Sequence, residues 1–554
     1  MSPPEPTANY RAPALEAAEV AGAEPVSGGL VRDARGMAIA TIASRITGFA
    51  RIVALTAVLG VHSLRQAFEV ANTLPNTLYE LLLGGILTST LVPLLVEAKA
   101  GGPAKAAAFA QRILTLTILA TAALSGLAIV AAPVLVRAYN TSADPDEIAL
   151  SIHWARFFLP QIFFYALTAT ISAVLNTHAR FGAAVWAPVL NNAVVIATVG
   201  VFALLPTSTD TTVSTLTSAQ LLTLGIGTTL GVVAMTVALL PALHATGFRW
   251  RLQLNLRGVG LGRMARMGSW VLVYVGSTQL AFWVLTRLIT AVNEQPIYVS
   301  AFTVWQLPHA VVAVSIITAL LPRMSAHAVA GRLAELRSDL DRGLRLSMIA
   351  LLPAAVALIV LGRDLATALF NHGATDRADA QRIGWVLAVF AVGLLPFSLY
   401  QLQARAFYAL RDTKTPALVQ SAVSAVLIGT DLLLAAVLPL HWRVFGLAAG
   451  HAGAYLIGVL ISAAALHRRL GPRADAAQPL LTLLTRLVPA ALLAGAVAAG
   501  LAAVLHPHLP AGPFGALIVL STAAPLAVLV YLATLVVLRV PEARAGLRAL
   551  HPRR

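Results

Sequence analysis

The chain is 554 residues long, with 58% hydrophobic and only 11% charged residues. Because an average soluble domain has roughly 25% charged residues, this composition excludes a soluble protein and indicates an integral membrane protein. The chain has no cysteine, which excludes disulfide bonds and cysteine-built zinc sites. No two of its histidines have metal-ligand spacing on a helix, so we expect neither a metal nor a cofactor.

The predicted elements begin after a polar tail. Residues 1–34 are rich in Pro, Ala and Glu and contain no apolar run, so we expect a disordered cytoplasmic tail. From Met37 onward, apolar stretches of about 20 residues, long enough to cross a bilayer, follow one another. They predict an all-α membrane protein of about fourteen transmembrane helices, at residues 37–60, 66–96, 108–136, 152–177, 183–205, 219–243, 264–291, 297–321, 342–361, 383–404, 416–438, 444–466, 482–505 and 514–538.

Lys and Arg residues concentrate in alternate loops. With the N-terminus inside, 29 of the 39 basic residues fall in cytoplasmic segments, including a basic C-terminal tail at 539–554, and seven fall outside. Because cytoplasmic loops collect Lys and Arg, both termini are predicted to be cytoplasmic. The net charge of +16 is spread over many short loops, which argues against nucleic-acid binding.

Two pairs of prolines, each at the same place relative to predicted spans, indicate an internal repeat. Pro93 and Pro322 are 229 residues apart, and Pro188 and Pro416 are 228 apart. This interval predicts two parallel six-helix bundles followed by an appended helix pair, at residues 37–244, 264–467 and 482–538.

Parallel repeats of this kind are a common transporter architecture, with the substrate between the halves and alternating access by rocking of one half against the other. No loop is long or polar enough for the catalytic residues of a membrane glycosyltransferase or acyltransferase. We therefore expect a transporter and not an enzyme.

Three residues of the first span are candidates for the substrate site. A charged residue in the membrane interior costs about 2.5 kcal/mol or more and is functional by default. At 100° per residue, Arg45, Gly48 and Arg51 form one slanting stripe. Two guanidinium groups can bind phosphate or carboxylate in bidentate fashion, which favours an anionic substrate over purely structural ion pairs.

The second span adds acidic residues. Glu80 lies near the middle of that span, at a predicted depth close to that of Arg51, and Glu69 follows Arg65 by one helical turn. Glu80 either simply neutralises an arginine or forms a switch that opens when a phosphate takes the arginine.

Two further charged residues lie in later spans. Asp431, a lone acid in the eleventh span, either binds a coupling cation or proton or packs against a polar neighbour. Arg287, near the outer end of the seventh span, either snorkels or contacts the substrate.

Several segments resemble the MurJ (MviN) family of lipid II flippases over about residues 37–540. They include Ser44-Arg45-Ile46-Thr47-Gly48-Phe49-Ala50-Arg51, Leu74-Pro75-Asn76, Leu175-Asn176-Thr177, Arg405-Ala406-Phe407-Tyr408-Ala409 and Asp412-Thr413-Lys414-Thr415-Pro416.

The resemblance implies the fourteen-helix multidrug/oligosaccharidyl-lipid/polysaccharide exporter fold. It implies lipid II as the substrate, an undecaprenyl-diphosphate-linked peptidoglycan precursor moved from the cytoplasmic to the outer leaflet of the bacterial inner membrane. It further implies that Arg45 and Arg51 contribute to a cationic cavity and that residues 482–538 form a groove for the lipid tail. We expect a monomer that contacts membrane lipids and proteins of cell-wall synthesis and division.

The chain departs from the family pattern at several positions. Ile52 and Gln66 stand where many members have acids, and Tyr79-Glu80 and Thr303 stand where they have basic residues. Arg287 or Arg65 substitutes for the missing cavity charge, or this chain binds the diphosphate with fewer arginines.

Three alternative functions remain open from the sequence. They are a flippase for another polyprenyl-diphosphate glycan, a drug/cation antiporter of the same superfamily that uses Asp431, and a non-transporting cell-wall scaffold.

Overall fold

The structure is a computed structural model. It describes residues 28–81, 88–178, 180–206, 212–254, 261–471 and 480–542. All regular elements within these ranges are helical.

The first bundle contains ten helical segments. The first of them starts at Gly28, inside the stretch predicted to be a disordered tail and shortly after the last N-terminal proline, Pro25. The segments are α1 (Gly28–Leu59), α2 (Ser63–Tyr79), α3 (Thr88–Ala100), α4 (Pro103–Val130), α5 (Ala132–Tyr139), α6 (Pro145–Phe158), α7 (Gln161–Thr177), α8 (Gly182–Leu204), α9 (Ser218–Val237) and α10 (Leu240–His244).

The second bundle and the appended pair complete the chain. The second bundle comprises α11 (Leu261–Thr290), α12 (Gln295–Pro308), α13 (Val314–Val329), α14 (Leu333–Phe370), α15 (Arg377–Val392), α16 (Leu394–Ala409), α17 (Lys414–Val437) and α18 (Arg443–Leu470). The appended pair is α19 (Leu480–Leu505) and α20 (Pro513–Val537), which pack on α14 through the buried side chains of Met348, Leu487 and Tyr531.

Twelve described helices are long and apolar enough to cross a membrane, and the bent pair α15 and α16 raises the number to thirteen. The predicted second span, 66–96, includes residues 82–87, which lie outside the described ranges. The all-α membrane fold is thus confirmed, whereas the count of fourteen stays a prediction.

Breaks within helices recur at the repeat interval. A π-helical turn interrupts the chain at Glu80 and Leu81 after α2, and another follows α12 at His309–Ala313. Glu80 and His309 are 229 residues apart, the interval seen in the prolines. Each bundle therefore has a break in its second span at the same position.

Hydrogen bonds join the two bundles at one end of the molecule, which we call the sealed face. There the Ala374 amide donates to the Ala57 carbonyl at 2.8 Å, and Asn293 Nδ2 donates to Ser63 Oγ at 2.8 Å. Phe49 and Ile52 of α1 pack against the core of the second bundle. These contacts hold the bundles together around the short turns that join successive helices.

The opposite end, the basic face, carries the arginine-rich loops. Lys99 Nζ donates to the Thr177 carbonyl at 2.7 Å within the first bundle. Arg469 pairs with Asp412, and Arg337 donates to the Gly471 carbonyl, both within the second bundle. These three contacts each join elements of the same bundle, whereas α3 of the first bundle packs on α11 of the second.

Candidate substrate site between the bundles

The candidate site begins on α1, where Gly48 faces the neighbouring helix α8. A Cβ added at Gly48 would lie 3.4 Å from Asn192 Nδ2 of α8, which is an ordinary contact, so glycine is not required there. The Asn192 amide donates to Thr47 Oγ1 at 3.1 Å and holds α1 against α8. This contact fixes the rotation of α1, and with it the direction of the arginines on either side.

Arg45 lies on α1 and faces the second bundle. It is exposed, yet it is close enough to His309, at the π-helical turn after α12, to interact with it electrostatically. Fourteen residues separate Arg45 from the end of α1 at Leu59, a distance of about 21 Å along the helix. Arg45 is thus an exposed side chain at the boundary between the two bundles, which we call the gap.

Arg51 lies closer to the sealed face, about 12 Å from the end of α1. Its guanidinium is within electrostatic range of Tyr165 on α7, whose ring centre is 5.0 Å from that of Tyr79. Arg51 Nε is buried and has no hydrogen-bond partner among the described residues. Because a buried donor costs free energy unless it is paired, this N–H group is suited to donate a hydrogen bond to an anionic ligand.

Arg405 is a further cation of the site, which the sequence analysis did not identify. It lies on α16, within electrostatic range of His309, and its Cζ is 5.6 Å from the ring centre of Tyr408. Its Nε is buried with no partner in the described part of the chain. The predicted span ended at residue 404, although the apolar Ala406-Phe407 continues it, and this continuation is the signal that places Arg405 within a helix.

His309 was also missed, and its position relative to the repeat could have identified it. Its Nδ1 is 2.9 Å from Ser398 Oγ of α16. The interval of 229 residues makes it the counterpart of Glu80, so each bundle has a polar side chain at its helix break. His309 brings Arg45 and Arg405 to a common point between the bundles.

Glu80 is exposed and forms no ion pair with any described residue. Helix α2 begins at Ser63, so Glu80 lies about 26 Å from the sealed face, whereas Arg51 lies about 12 Å from it. Both distances are measured from the short turn at residues 60–62, so Glu80 and Arg51 do not lie at the equal depth that was expected. Glu80 is closer in depth to Arg45.

The structure places Arg65 apart from these cations. Its side chain is fully buried, its Nη2 is 2.5 Å from Glu69 Oε1, and its Nη1 donates to Thr56 Oγ1 at 3.1 Å. The Thr56 carbonyl in turn accepts a hydrogen bond from Thr375 of the second bundle at 2.9 Å. Arg65 and Glu69 therefore support the sealed face.

Arg287 also lies where the bundles meet. Its Nη1 donates to the Ala138 carbonyl of the first bundle at 2.8 Å, and its Cζ is 5.5 Å from the ring centre of Trp283. The Arg287 carbonyl accepts a hydrogen bond from Thr141 Oγ1 at 2.5 Å. Both its guanidinium and its backbone thus join the two bundles at the sealed face.

Asp431 lies in the interior of the second bundle. It is fully buried, and neither carboxylate oxygen has a hydrogen-bond partner among the described residues. A Cβ added at Gly450 of α18 would lie 2.8 Å from Asp431 Oδ1, so glycine is required there for close packing. Within the described ranges, no three His, Cys, Asp or Glu residues form a group able to hold a metal ion.

Arg45 and Arg405 thus approach His309 from the two bundles, and Arg51 lies six residues further along α1 from Arg45. None of the three arginines forms an ion pair with a described carboxylate. Guanidinium groups without a neutralising partner can bind an anion that carries more than one charge.

The family of the chain follows from comparison with known proteins. A model of the family described as lipid II flippase MurJ matches residues 55–518. The chain belongs to the MurJ family. It is 30% identical over 429 residues to the lipid II flippase MurJ of Burkholderia cenocepacia, covering 76% of this chain and 79% of that protein. It is 29% identical over 405 residues to the probable lipid II flippase MurJ of Rhizobium tropici, covering 72% and 74%.

Solved structures show the same fold. A lipid II flippase MurJ in an inward closed conformation aligns with a TM-score of 0.73 at 20% identity, over 90% of this chain and 97% of that one. An inward-facing multidrug resistance MATE family transporter of the MOP superfamily aligns with a TM-score of 0.61 at 16% identity, over 78% and 98%. The chain is thus a multi-pass membrane protein with the fold of the MurJ family, which is one of transporters.

Proposed function

We propose that this chain moves lipid II from the cytoplasmic to the outer leaflet of the bacterial inner membrane by alternating access. The observation that supports this most directly is the group of Arg45, Arg51 and Arg405. Arg45 and Arg405 interact with the same histidine from the two bundles, and no described carboxylate neutralises any of the three arginines. The chain also belongs to a family of lipid II flippases.

The diphosphate of the substrate suits this group of arginines. A planar guanidinium binds phosphate oxygens through two parallel hydrogen bonds, and the two phosphates together offer several such oxygens. Arg45 and Arg405 approach His309 from opposite bundles, so a diphosphate bound there would contact both. The substrate would then reduce the repulsion between cations that the bundles bring together.

The basic face is proposed to be cytoplasmic, together with both termini, because Lys and Arg collect in cytoplasmic loops. The sealed face would then be the outer side, and the gap would receive its substrate from the cytoplasmic side. Release to the outer leaflet requires the hydrogen bonds of the sealed face to break. We assign Arg65 and Arg287 to that seal rather than to the diphosphate in this conformation.

Asp431 is proposed as the coupling site for a proton or a cation. Its carboxylate oxygens lack described partners, and a buried carboxylate is expensive unless it is protonated or paired with a cation. The site lies within one bundle, so its occupancy could alter the packing of α17 on α18 through Gly450.

The appended pair α19 and α20 is proposed to hold the lipid tail. Leu492, Val504 and Leu529 are 59%, 63% and 64% exposed, which leaves apolar surface for a polyprenyl chain. Because one chain contains both bundles and the gap between them, we propose a monomer, acting beside proteins of cell-wall synthesis and division.

The proposal is tested in cells depleted of their own lipid II flippase. The Arg51→Ala variant is expected to insert normally but to fail to restore growth and outer-leaflet exposure of lipid II. Arg137→Ala, which removes an exposed arginine of α5 at the sealed face, is the matched control and should restore both. Normal exposure of lipid II in cells with Arg51→Ala would contradict the assignment.

A further inference from the structure

A second polar cavity lies at the sealed face, away from the gap between the bundles. Its volume is about 350 Å³, and it lies between α14, the start of α15 and the turn that precedes α20. This volume is in the range of pockets that hold small ligands. The lining residues used below are Arg363, Asp364, Arg377, His506 and Gly512.

The cavity has an excess of positive charge. Asp364 is the acidic residue among its lining side chains, and its Oδ1 is 2.7 Å from His506 Nε2. Arg363 and Arg377 form no ion pair with any described carboxylate. Two guanidinium groups therefore remain available to a ligand.

Nearby carboxylates outside the cavity are already engaged. Asp376, which precedes Arg377, accepts a hydrogen bond from the Asp379 amide at 2.8 Å and caps α15. The Asp379 carboxylate is 3.1 Å from His62 Nε2. Neither acid forms a described ion pair with Arg377.

Arg363 is held in a defined orientation. Its Cζ lies 4.5 Å from the ring centre of Trp385, a distance at which cation and aromatic ring attract each other. Gly384 allows this approach, because a Cβ there would lie 2.6 Å from Arg363 Cα. Close packing of α14 on α15 thus places Arg363 at the cavity. Because its side chain is already ordered, Arg363 loses less conformational entropy when a ligand binds.

Apolar surface adjoins the cavity. Trp385 is 49% exposed, and Phe514 and Leu517, which follow the lining turn on α20, are 68% and 53% exposed. Tryptophan is enriched at the level of lipid headgroups. A ligand bound at the two arginines would therefore have a phosphate in the cavity and hydrocarbon beside it.

We propose that this cavity binds the phosphate group of an anionic phospholipid from the leaflet at the sealed face, with Arg363 and Arg377 as its ligands. The proposal does not depend on lipid II, since neither arginine faces the gap between the bundles. It predicts that a bound lipid links the appended pair to the second bundle at this face.

The test is native mass spectrometry of the purified full-length protein titrated with phosphatidylglycerol and, separately, with phosphatidylcholine. Because hydrogen bonds between a guanidinium and a phosphate are strengthened by charge, loss of both arginines should lower affinity for phosphatidylglycerol at least about tenfold. The variants are R363Q, R377Q and the double variant, with R137Q as the matched control at the same face. Equal loss in R137Q and the double variant, or equal binding of the two lipids by the unmodified protein, would overturn the proposal.

Two further arms separate folding and free phosphate from lipid binding. Arg377 is exposed and has no described hydrogen bond, ion pair or aromatic contact, so the melting temperature of R377Q without added lipid should match that of the unmodified protein while its lipid affinity falls. Inorganic phosphate lacks acyl chains and should leave bound phosphatidylglycerol in place at equal concentration. Complete displacement by phosphate would assign the cavity to free anions instead.

Discussion

Gln66 is the side chain whose removal should most selectively weaken the sealed face. Its Nε2 donates to the Thr290 carbonyl at 3.1 Å, and its Oε1 accepts from the Gln295 amide at 3.4 Å. Both partners belong to the second bundle. Nε2 also donates to Glu147 Oε1 of the first bundle at 2.9 Å.

The expected loss of stability of the sealed state follows from the two hydrogen bonds that Gln66 makes to the second bundle. Each hydrogen bond contributes a net of roughly 0.5–1.5 kcal/mol, and the longer of the two contributes at the lower end. The hydrogen bond from Gln66 to Glu147 lies within the first bundle, and Glu147 retains Asn140 and Ser142 as donors whether the face is open or closed. Losing that bond therefore affects the open and the sealed states almost equally. Gln66→Leu should therefore destabilise the sealed state by about 1–2 kcal/mol, which is a factor of roughly 5–30 in population.

Spin labels can measure this shift directly, because the chain has no cysteine of its own. Cysteines introduced at the exposed Ala143 and Ala378 place one label on each bundle at the sealed face. Electron–electron double resonance should give a single short distance in the parent protein. In the Gln66→Leu variant, a longer distance should gain population by the factor stated above.

Gln220→Leu is the matched control. Gln220 is also a buried glutamine in the first bundle, but its hydrogen bonds are to Thr217 in the capping box of α9. It should leave the distance distribution unchanged. A parent-like distribution in Gln66→Leu, or the same shift in Gln220→Leu, would refute the assignment of Gln66 to the seal.

Three further predictions concern the seal and the coupling site. Gly373 has φ +61°, and a Cβ there would overlap the Ala57 carbonyl oxygen. Gly373→Ala should therefore shift the same labels to the longer distance, and an unchanged distance distribution would argue against this contact. The hydrogen bond to Asp379 raises the pKa of His62 above 6.5. The pair should therefore stabilise the sealed state fully below about pH 6.5 and lose this effect as the pH rises through the raised pKa. Distances between the labels measured at pH 5.5 and 8.5 should differ in the parent, and His62→Gln should abolish that difference. Asp431→Asn should retain lipid II binding but remove the response of flipping to imposed proton or cation gradients, and a response equal to that of the parent would exclude Asp431 as the coupling site.

The helical fold could be predicted because its signals are local. Apolar stretches of membrane length are recognised from neighbouring residues, and prolines repeated at a fixed interval are recognised from their positions in the sequence. The break at His309 follows the same interval from Glu80 and was available in the sequence. Arg405 is not predicted by the apolar pattern, because a charged residue ends an apolar stretch, although apolar residues follow it.

Of the partners of the charged residues, the sequence can predict only those that are close in the chain. Arg65 and Glu69 are one turn apart, so their pairing was accessible from spacing alone. By contrast, Arg287 donates to the Ala138 carbonyl, a backbone group far away in the chain, and no residue pattern encodes that contact. The expectation of equal depth came from placing Glu80 and Arg51 near the middle of their predicted spans, whereas their distances from the turn at residues 60–62 differ by about 14 Å.

The most direct test of the central claim is lipid II flipping by purified protein in vesicles. Fluorescent lipid II would be incorporated with the unmodified protein, with a variant in which Arg45, Arg51 and Arg405 are all replaced by alanine, or with Arg137→Ala. Flipping by the unmodified protein and by Arg137→Ala, together with its loss in the triple variant, is the result that the account predicts. Flipping by the triple variant at the rate of the unmodified protein would contradict it.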